Sequence, residues 1–195
     1  MSSVFSFDAF IAECEAALAD NDRVEKIRSA VAIAIANPQA LAAALPEFAG
    51  DEELLHASGN LVVVHLRMTP NVHYPPHNHN MPVVVGIYTG AERSHSYERV
   101  ANGLIETGRH DNSAGDVVVL HTDAIHSVAN IGADYSYALH VYVGDLIHQD
   151  RNIWQPRTHS KYPYSDETYF KFAEAYDDTK SFARPAVCFA HGATT

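Results

Sequence analysis

The residues most able to do chemistry in this 195-residue chain are among its 13 histidines. His77 and His79 follow a Pro-Pro pair and precede an apolar run typical of a strand. Residues i and i+2 of a strand face the same side, so both imidazoles can reach one point. Such a pair either shares a ligand or lines a polar patch. A second segment carries His126 at fixed distances from Gly115 and Asn130, around a short strand, a turn and another strand.

A third segment contributes a histidine and a tyrosine. Strand periodicity puts Ala138, His140 and Tyr142 on one face. The alternative interpretation is that His140 and Tyr142 form a structural pair inside a barrel.

The first two segments together resemble the two sequence motifs of the cupins, matched on residues 71–90 and 115–130. The second motif matches at Gly115, His126 and Asn130, and it departs at its Pro and Gly positions, which are His121 and Asp123. Asp is a common turn residue, so we expect a turn to form at Asp123 although the motif's glycine is missing. The first motif begins with Asn71 instead of Gly, and Val83 or Val84 replaces its usual glutamate.

A cupin without the glutamate resembles the three-histidine, thiol dioxygenase-like branch. This resemblance implies that His77, His79 and His126 hold Fe(II), and that His140 and Tyr142 lie close to the bound O2 or substrate. Ala138 replaces the serine of that branch's Ser-x-His-x-Tyr set. Val84 stands where some cysteine dioxygenases carry a cysteine that crosslinks to tyrosine, so this thioether cannot form.

The function implied by the resemblance is O2-dependent oxidation of a small thiol, of the cysteine or mercaptocarboxylate type, to a sulfinate. Three neutral imidazoles leave a divalent metal its full charge, which favours an anionic thiolate. The ligand set does not fix the metal, and Zn, Ni or Mn can occupy the same site. The substrate's anionic end calls for a guanidinium, and the candidates are Arg67, Arg109 and Arg151.

Two other functions fit the same residues. One is a different three-histidine dioxygenation, such as β-diketone cleavage, and the His140-x-Tyr142 pair favours the thiol branch over it. The other is a non-catalytic cupin that binds a small ligand. The sequence determines neither the substrate nor the oligomeric state, and a homodimer is one of the states that it allows.

The elements that must position these residues follow from the hydrophobic pattern. Apolar residues at helical spacing predict two helices and a further helical turn between about residues 4 and 48, with Ser6 and Asp22 placed as N-terminal caps. Short β-branched runs predict strands, and Asn102-Gly103 predicts a hairpin turn. The predicted strands are 61–68, 83–89, 94–99, 103–108, 116–120, 125–129 and 135–143.

These elements indicate one mainly β domain over residues 1–195, a cupin double-stranded β-helix forming a small barrel. It consists of a helical N-terminal segment (1–58), a β-barrel core (59–149) and a C-terminal wrap (150–195) with a last helical turn at 171–176. In the wrap, Trp154, Tyr162 and Tyr164 either close one barrel end as a lid or pack as ordinary core and surface.

Composition excludes several classes of function. The chain has 13 Lys and Arg against 24 Asp and Glu, and this net charge of −11 disfavours nucleic acid and anionic membranes as partners. No long apolar run or basic leader is present, so a membrane protein is not expected. The two cysteines, Cys14 and Cys188, are too few for a disulfide framework, which favours the cytoplasm.

Overall fold

The computed structural model describes residues 5–178, which form four helices and twelve strands. The helices are α1 Phe7–Ala17, α2 Arg23–Ile35, α3 Pro38–Ala44 and α4 Asp166–Phe172. The strands are β1 Glu52–Ala57, β2 Val62–Met68, β3 Val72–Asn78, β4 Val83–Thr89, β5 Ala91–Val100, β6 Gly103–Ser113, β7 Val117–Leu120, β8 Ile125–Asn130, β9 Ser136–Tyr142, β10 Asn152–Trp154, β11 Lys161–Pro163 and β12 Glu174–Ala175.

The strands build two antiparallel sheets. The first sheet has the order β1-β2-β9-β4-β7, and the second has the order β11-β10-β3-β8-β5-β6, with β12 added beside β3. Neighbours in the sheets are mostly distant in sequence, as in a double-stranded β-helix. The predicted fold class, a mainly β cupin-type barrel with N-terminal helices, is confirmed.

The central strands of the first sheet are buried on both faces. Val64, Val85 and Ile87 point into the barrel, where they pack together. Val63 and Val84, one position before Val64 and Val85, point to the other face and pack against the helices. This double burial explains why β2 and β4 read as continuous apolar runs in the sequence.

The N-terminal helices cover the outer face of the first sheet. Ser6 caps α1 by accepting a hydrogen bond from the Ala9 amide at 3.3 Å, as predicted. Asp22 stands before α2, but its side chain makes no capping hydrogen bond. Cys14 is fully buried under these helices, and burial raises the pKa of its thiol to about 12. Cys188 lies outside the described residues.

Several elements differ from the sequence prediction. Residues 52–57 form β1 within the segment expected to be helical. A strand was expected to begin at about His77, but residues 72–78 form β3, so His77 lies near the end of a strand. The β5–β6 hairpin is present, but Val100 pairs with Gly103, so Ala101 and Asn102 form the turn. The last helix is 166–172 and not 171–176.

The helices do not suggest a membrane span. Within residues 5–178 no single helix is long and apolar enough to cross a bilayer. Only α2 and α3 taken together have the length and composition, and they are bent by 96°.

Candidate metal centre and its cavity

The three histidines with ligand spacing come together inside the barrel. His77 lies near the end of β3, His79 follows that strand directly, and His126 lies on the neighbouring strand β8. His77 and His126 are paired across the two strands. One nitrogen from each of the three rings lies within 4.8 Å of the others.

The local backbone around His77 differs from a regular strand start. The register of β3 against β8 shifts between Tyr74 and His77, where Pro75 and Pro76 cannot donate ladder hydrogen bonds. The side chain of His79 therefore reaches the candidate metal site from the loop that follows β3. The expected i, i+2 placement on one strand face applies to His77 only.

One hydrogen bond fixes the orientation of His77. Its Nδ1–H donates to the carbonyl oxygen of Pro75 at 3.0 Å. A carbonyl oxygen only accepts, so the proton is on Nδ1 and the lone pair of the neutral ring is on Nε2. This is the arrangement in which a histidine serves as a metal ligand through one nitrogen while the other is anchored.

Burial keeps all three rings neutral. It lowers the pKa of His77 to about 4, and it lowers the pKa values of His79 and His126 to well below the usual range, with the neighbouring histidines adding to the effect. The three side chains are only 5–6% exposed. Three neutral imidazoles provide three lone pairs, which is the protonation state that metal binding requires.

The geometry also fits a cation between two of the rings. Nε2 of His79 lies 3.1 Å from Nε2 of His126, so without a cation one ring must donate to the other. Among the described residues the Nδ1 atom of His79 has no hydrogen-bond partner. A divalent transition metal would accept the two facing lone pairs, so the donor set fits a metal such as Fe, Mn, Ni or Zn.

His140 and Tyr142 lie on the inner face of β9, beside the three histidines. Nδ1 of His140 is 3.3 Å from the Tyr142 hydroxyl, and the Tyr142 ring meets the His79 ring edge-on at 5.3 Å. Burial raises the pKa of Tyr142 and lowers that of His140 to about 4. Tyr142 is therefore a protonated phenol, able to donate a hydrogen bond. Ala138 shares this face and is fully buried.

Of the three candidate arginines, Arg151 alone lines the cavity that contains the histidines. Its guanidinium stacks 3.8 Å from the ring centre of Tyr164, which also lines the cavity. The positive charge of Arg151 contributes to the lowered pKa values of His77 and His79.

Arg67 and Arg109 lie elsewhere. Arg67 alternates with Leu66 and Met68, which face the cavity, so it points to the opposite face of β2 and pairs with Asp51 at 2.8 Å. Arg109 pairs with Glu106 at 2.5 Å on β6, away from the cavity.

The cavity is lined by both apolar and polar side chains. The apolar wall consists of Val64, Leu66, Met68, Val85, Ile87, Val118, Leu120, Val128 and Leu146. Tyr164 and Tyr169 close one side, whereas Trp154 packs in a separate core with Tyr97, and Tyr162 is exposed.

Four polar residues of the cavity escaped the sequence analysis: Glu52, Glu92, Ser94 and Asn112. Glu52 lies on edge strand β1, which was not predicted. Glu92 and Ser94 alternate with Arg93 and His95, so both faces of β5 are polar and the pattern does not identify the inner one.

The Gly and Asn of the second motif have structural roles. Gly115 has φ of 101°, a conformation that favours glycine. Asn130 is fully buried; its amide nitrogen donates to the carbonyls of Met68 and Asp134, and its amide oxygen accepts from Gly132. Of the three motif residues, His126 is the one that faces the cavity.

Two further histidines are buried behind the site. His73 stacks on His95 at 4.6 Å, and His73 Nε2 lies 2.8 Å from the Ser127 hydroxyl. Ser127 follows His126 and points to the opposite face of β8, where it also bonds to Tyr97. These residues do not reach the cavity.

Comparisons with known proteins identify no family. No family model matches the chain, and no curated protein matches it significantly. Solved structures with a similar backbone fold include a protein with a double-stranded β-helix domain from Klebsiella pneumoniae, which is 14% identical in sequence. That match covers 56% of this chain and 84% of the other, with a TM-score of 0.44.

Two enzymes also match over part of their length. A DMSP lyase from Ruegeria pomeroyi is 18% identical over 48% of this chain and 43% of its own, with a TM-score of 0.40. A Bacillus subtilis oxalate decarboxylase with Mn(II) centres is 17% identical over 53% of this chain and 30% of its own, with a TM-score of 0.41. This chain therefore spans less than half the length of either enzyme.

Proposed function

We propose that this protein is a non-haem Fe(II) dioxygenase that oxidises a small thiol to a sulfinate with O2. The observation that carries the proposal is the ligand set. Within residues 5–178, the group of side chains placed to bind a metal consists of three buried neutral histidines and no carboxylate. Tyr142 and Arg151 line the cavity that holds them.

The charge of this ligand set favours a thiolate. Because the imidazoles are neutral, a bound Fe(II) keeps its full positive charge, whereas a carboxylate ligand would reduce it. Bound Fe(II) would lower the pKa of a thiol and supply the redox chemistry that O2 requires. The overall reaction adds both oxygen atoms of O2 to sulfur and releases the thiol proton, and sulfur provides the four electrons.

The chain's own residues bind and orient the reactants. Arg151, held flat against Tyr164, presents a guanidinium to a substrate carboxylate. Tyr142 donates a hydrogen bond to the reacting oxygen or sulfur, and His140 orients its hydroxyl. The apolar side chains of the cavity make its interior less polar than water, which strengthens both interactions.

Oxygen consumption by the Fe(II)-reconstituted protein tests the proposal. The substrates are a panel of small thiols, with a β-diketone and a blank in the same series, and the products are assayed for sulfinate. We expect thiol-dependent uptake with sulfinate formed in equal amount. Iron bound at one per chain without uptake on any thiol contradicts the proposal. Uptake on the diketone instead supports the rival three-histidine reaction.

The ligand assignment is tested by His126→Ala. Loss of one of three ligands should abolish both iron retention and turnover. The matched control is His121→Ala, because His121 is exposed and lies five positions before His126, in the loop between β7 and β8. Unchanged iron content in His126→Ala would remove this residue from the site.

A further inference from the structure

Two asparagines flank the candidate metal ligand His79 where β3 ends. Asn78 is the last residue of β3 and is only 1% exposed. Asn80 has a φ of 57°, a left-handed conformation that asparagine adopts more readily than most residues and that ends the extended strand. The proposed reaction gives neither asparagine a role.

The side chains of both asparagines bind the segment that carries Arg151. The amide oxygen of Asn78 accepts a hydrogen bond from the backbone N–H of Asn152 at 2.7 Å. The amide nitrogen of Asn80 donates a hydrogen bond to the carbonyl oxygen of Asp150 at 2.7 Å. Since Asp150 and Asn152 are the two neighbours of Arg151 in the chain, these hydrogen bonds hold the backbone of Arg151 from both sides.

A third hydrogen bond joins the two asparagines to each other. The amide nitrogen of Asn78 donates to the amide oxygen of Asn80 at 2.7 Å. The backbone partners determine the orientation of each amide, because a backbone N–H only donates and a carbonyl oxygen only accepts. In that orientation the oxygen and the nitrogen of both amides have partners. The two side chains and their three hydrogen bonds form the asparagine link.

The asparagine link places His79 and Arg151 at the same level. Strands β3 and β10 pair antiparallel, with His77 opposite Ile153. The two backbone contacts of the link continue this antiparallel course one residue and three residues beyond that pair. His79 and Arg151 are each two residues beyond it, so they occupy opposite positions between the two contacts. Both side chains line the cavity.

The side chain of Arg151 is held separately by Tyr164. The guanidinium stacks 3.8 Å from the centre of the Tyr164 ring, and the Tyr164 backbone N–H donates to the Arg151 carbonyl oxygen at 3.0 Å. These contacts fix the direction of the guanidinium. The asparagine link adds the connection to the loop of His79, which these contacts lack.

We infer that Asn78 and Asn80 are positioning residues, which hold the Arg151 guanidinium at a fixed distance from a metal bound by His79. A ligand that coordinates the metal and also pairs with Arg151 must span this distance, so the link selects ligands by length. Two binding groups that are already in place favour the ligand that fits both of them. The roles of the metal and of Arg151 rest on the proposed function, whereas the link itself rests on the hydrogen bonds.

Anaerobic ligand binding to the Co(II)-loaded protein tests the inference without turnover. Thiolate binding to Co(II) gives a charge-transfer band in the near ultraviolet, which measures affinity. The probes are mercaptocarboxylates of two, three and four carbons, each compared with the alkanethiol in which a methyl group replaces the carboxylate. We expect the wild-type protein to bind one of the three acids at least tenfold more tightly than its alkanethiol. Equal affinities within all three pairs would overturn the inference.

Asn80→Gly breaks the link and keeps the backbone conformation, since glycine adopts a positive φ readily. We expect the preference for the best acid over its alkanethiol to fall about tenfold, the equivalent of one hydrogen bond, while Co(II) and alkanethiol affinities stay within about twofold. A general loss of structure would weaken both ligands alike, so the ratio of the two affinities reports the position of Arg151.

The matched control is Asn71→Gly, because Asn71 has the same φ of 57° and is exposed. We expect this control to keep the wild-type ratio. A folded Asn80→Gly protein that also keeps the wild-type ratio would refute the inference. Loss of Co(II) affinity in Asn80→Gly would show that the link holds the metal ligand and not Arg151, and this result also contradicts the inference.

These measurements separate the link from the proposed reaction, because they use neither iron nor O2. If the iron protein oxidises no thiol but the Co(II) protein shows the preference that depends on Asn80, the proposed reaction fails and the link stands. If thiols are oxidised to sulfinates and Asn80→Gly keeps the wild-type ratio, the reaction stands and the link fails.

Discussion

Tyr142 is the side chain whose chemistry depends most on its surroundings. Burial keeps its hydroxyl protonated, and His140 lies within hydrogen-bond distance of it. Tyr142→Phe removes the hydroxyl while the ring remains against His79. We expect unchanged iron content and a kcat at least about tenfold lower, because a hydrogen bond to a charged group contributes roughly 1.5–3 kcal/mol.

Steady-state kinetics with iron determination by mass spectrometry measures this effect. Tyr162→Phe is the control, since Tyr162 is 43% exposed and does not line the cavity. A Tyr142→Phe enzyme with wild-type kcat would exclude the hydroxyl from the reaction.

Some residues of the candidate site could be predicted from the sequence and others could not. The spacing of the histidines identified His77, His79 and His126 as candidate metal ligands. In the structure these three side chains lie close together. Three arginines were equivalent in the sequence, because side-chain direction on β2 and the partners of each guanidinium depend on strand register. Glu92 gave no signal, since a polar residue on a strand is ordinarily interpreted as solvent-facing.

At the scale of elements, the contact between α2 and β4 leaves no room for a side chain at Gly86. Gly86 lies in β4, and a Cβ atom at this position would overlap Val31 Cγ1 and come within 2.9 Å of Ile35 Cγ2. Both neighbours are branched side chains in a filled core. We expect Gly86→Ala to lower the free energy of unfolding by about 1–3 kcal/mol through overpacking.

Urea unfolding followed by circular dichroism measures the change. The control is Gly59→Ala, where a Cβ meets nothing within 4 Å, and we expect it to stay within about 0.5 kcal/mol of the wild type. A Gly86→Ala protein as stable as this control would mean that α2 can move away from the sheet at little cost.

Elements with a strong local pattern were predictable, and those defined by their partners were not. The helices α1 and α2 and strands β2 and β4 have clear apolar periodicity. Strand β3 contains two prolines, which ordinarily argue against a strand, and it is held by β8, β10 and β12. Strand β1 lies at the edge of the first sheet, where its side chains are exposed or half-buried, so its sequence carries little apolar signal.

At the scale of the whole molecule, the buried Glu92 couples stability to pH. Its pKa is about 7 in the folded protein, against roughly 4.3 in an unfolded chain. Between these values the folded state holds the extra proton, so this residue's contribution to stability is full below about pH 4.3 and is lost as the pH rises to about 7. The buried histidines act in the opposite direction, because their folded pKa values are lowered.

Glu92→Gln isolates the contribution of the carboxyl, because glutamine does not ionise. The free energy of unfolding, measured with urea at pH 5 and pH 8, should fall less on going to pH 8 in the variant than in the wild type. The expected difference between the two proteins is roughly 2–3 kcal/mol, because the interval from pH 5 to pH 8 covers most of the range between the unfolded and folded pKa values of this carboxyl. Parallel pH dependences would show that Glu92 titrates as an ordinary surface carboxylate.

The pairing of β3 with β8 also determines when the candidate metal site forms. His79 and His126 are 47 residues apart in the chain and meet only when β3 and β8 pair. Closing so long a loop costs entropy before any ligand geometry exists, and barrels built from such distant contacts fold slowly. The three candidate ligands therefore come together only once these two strands have paired. A metal that needs all three would be bound by a folded barrel, and its identity would depend on which divalent metals are available to the folded protein.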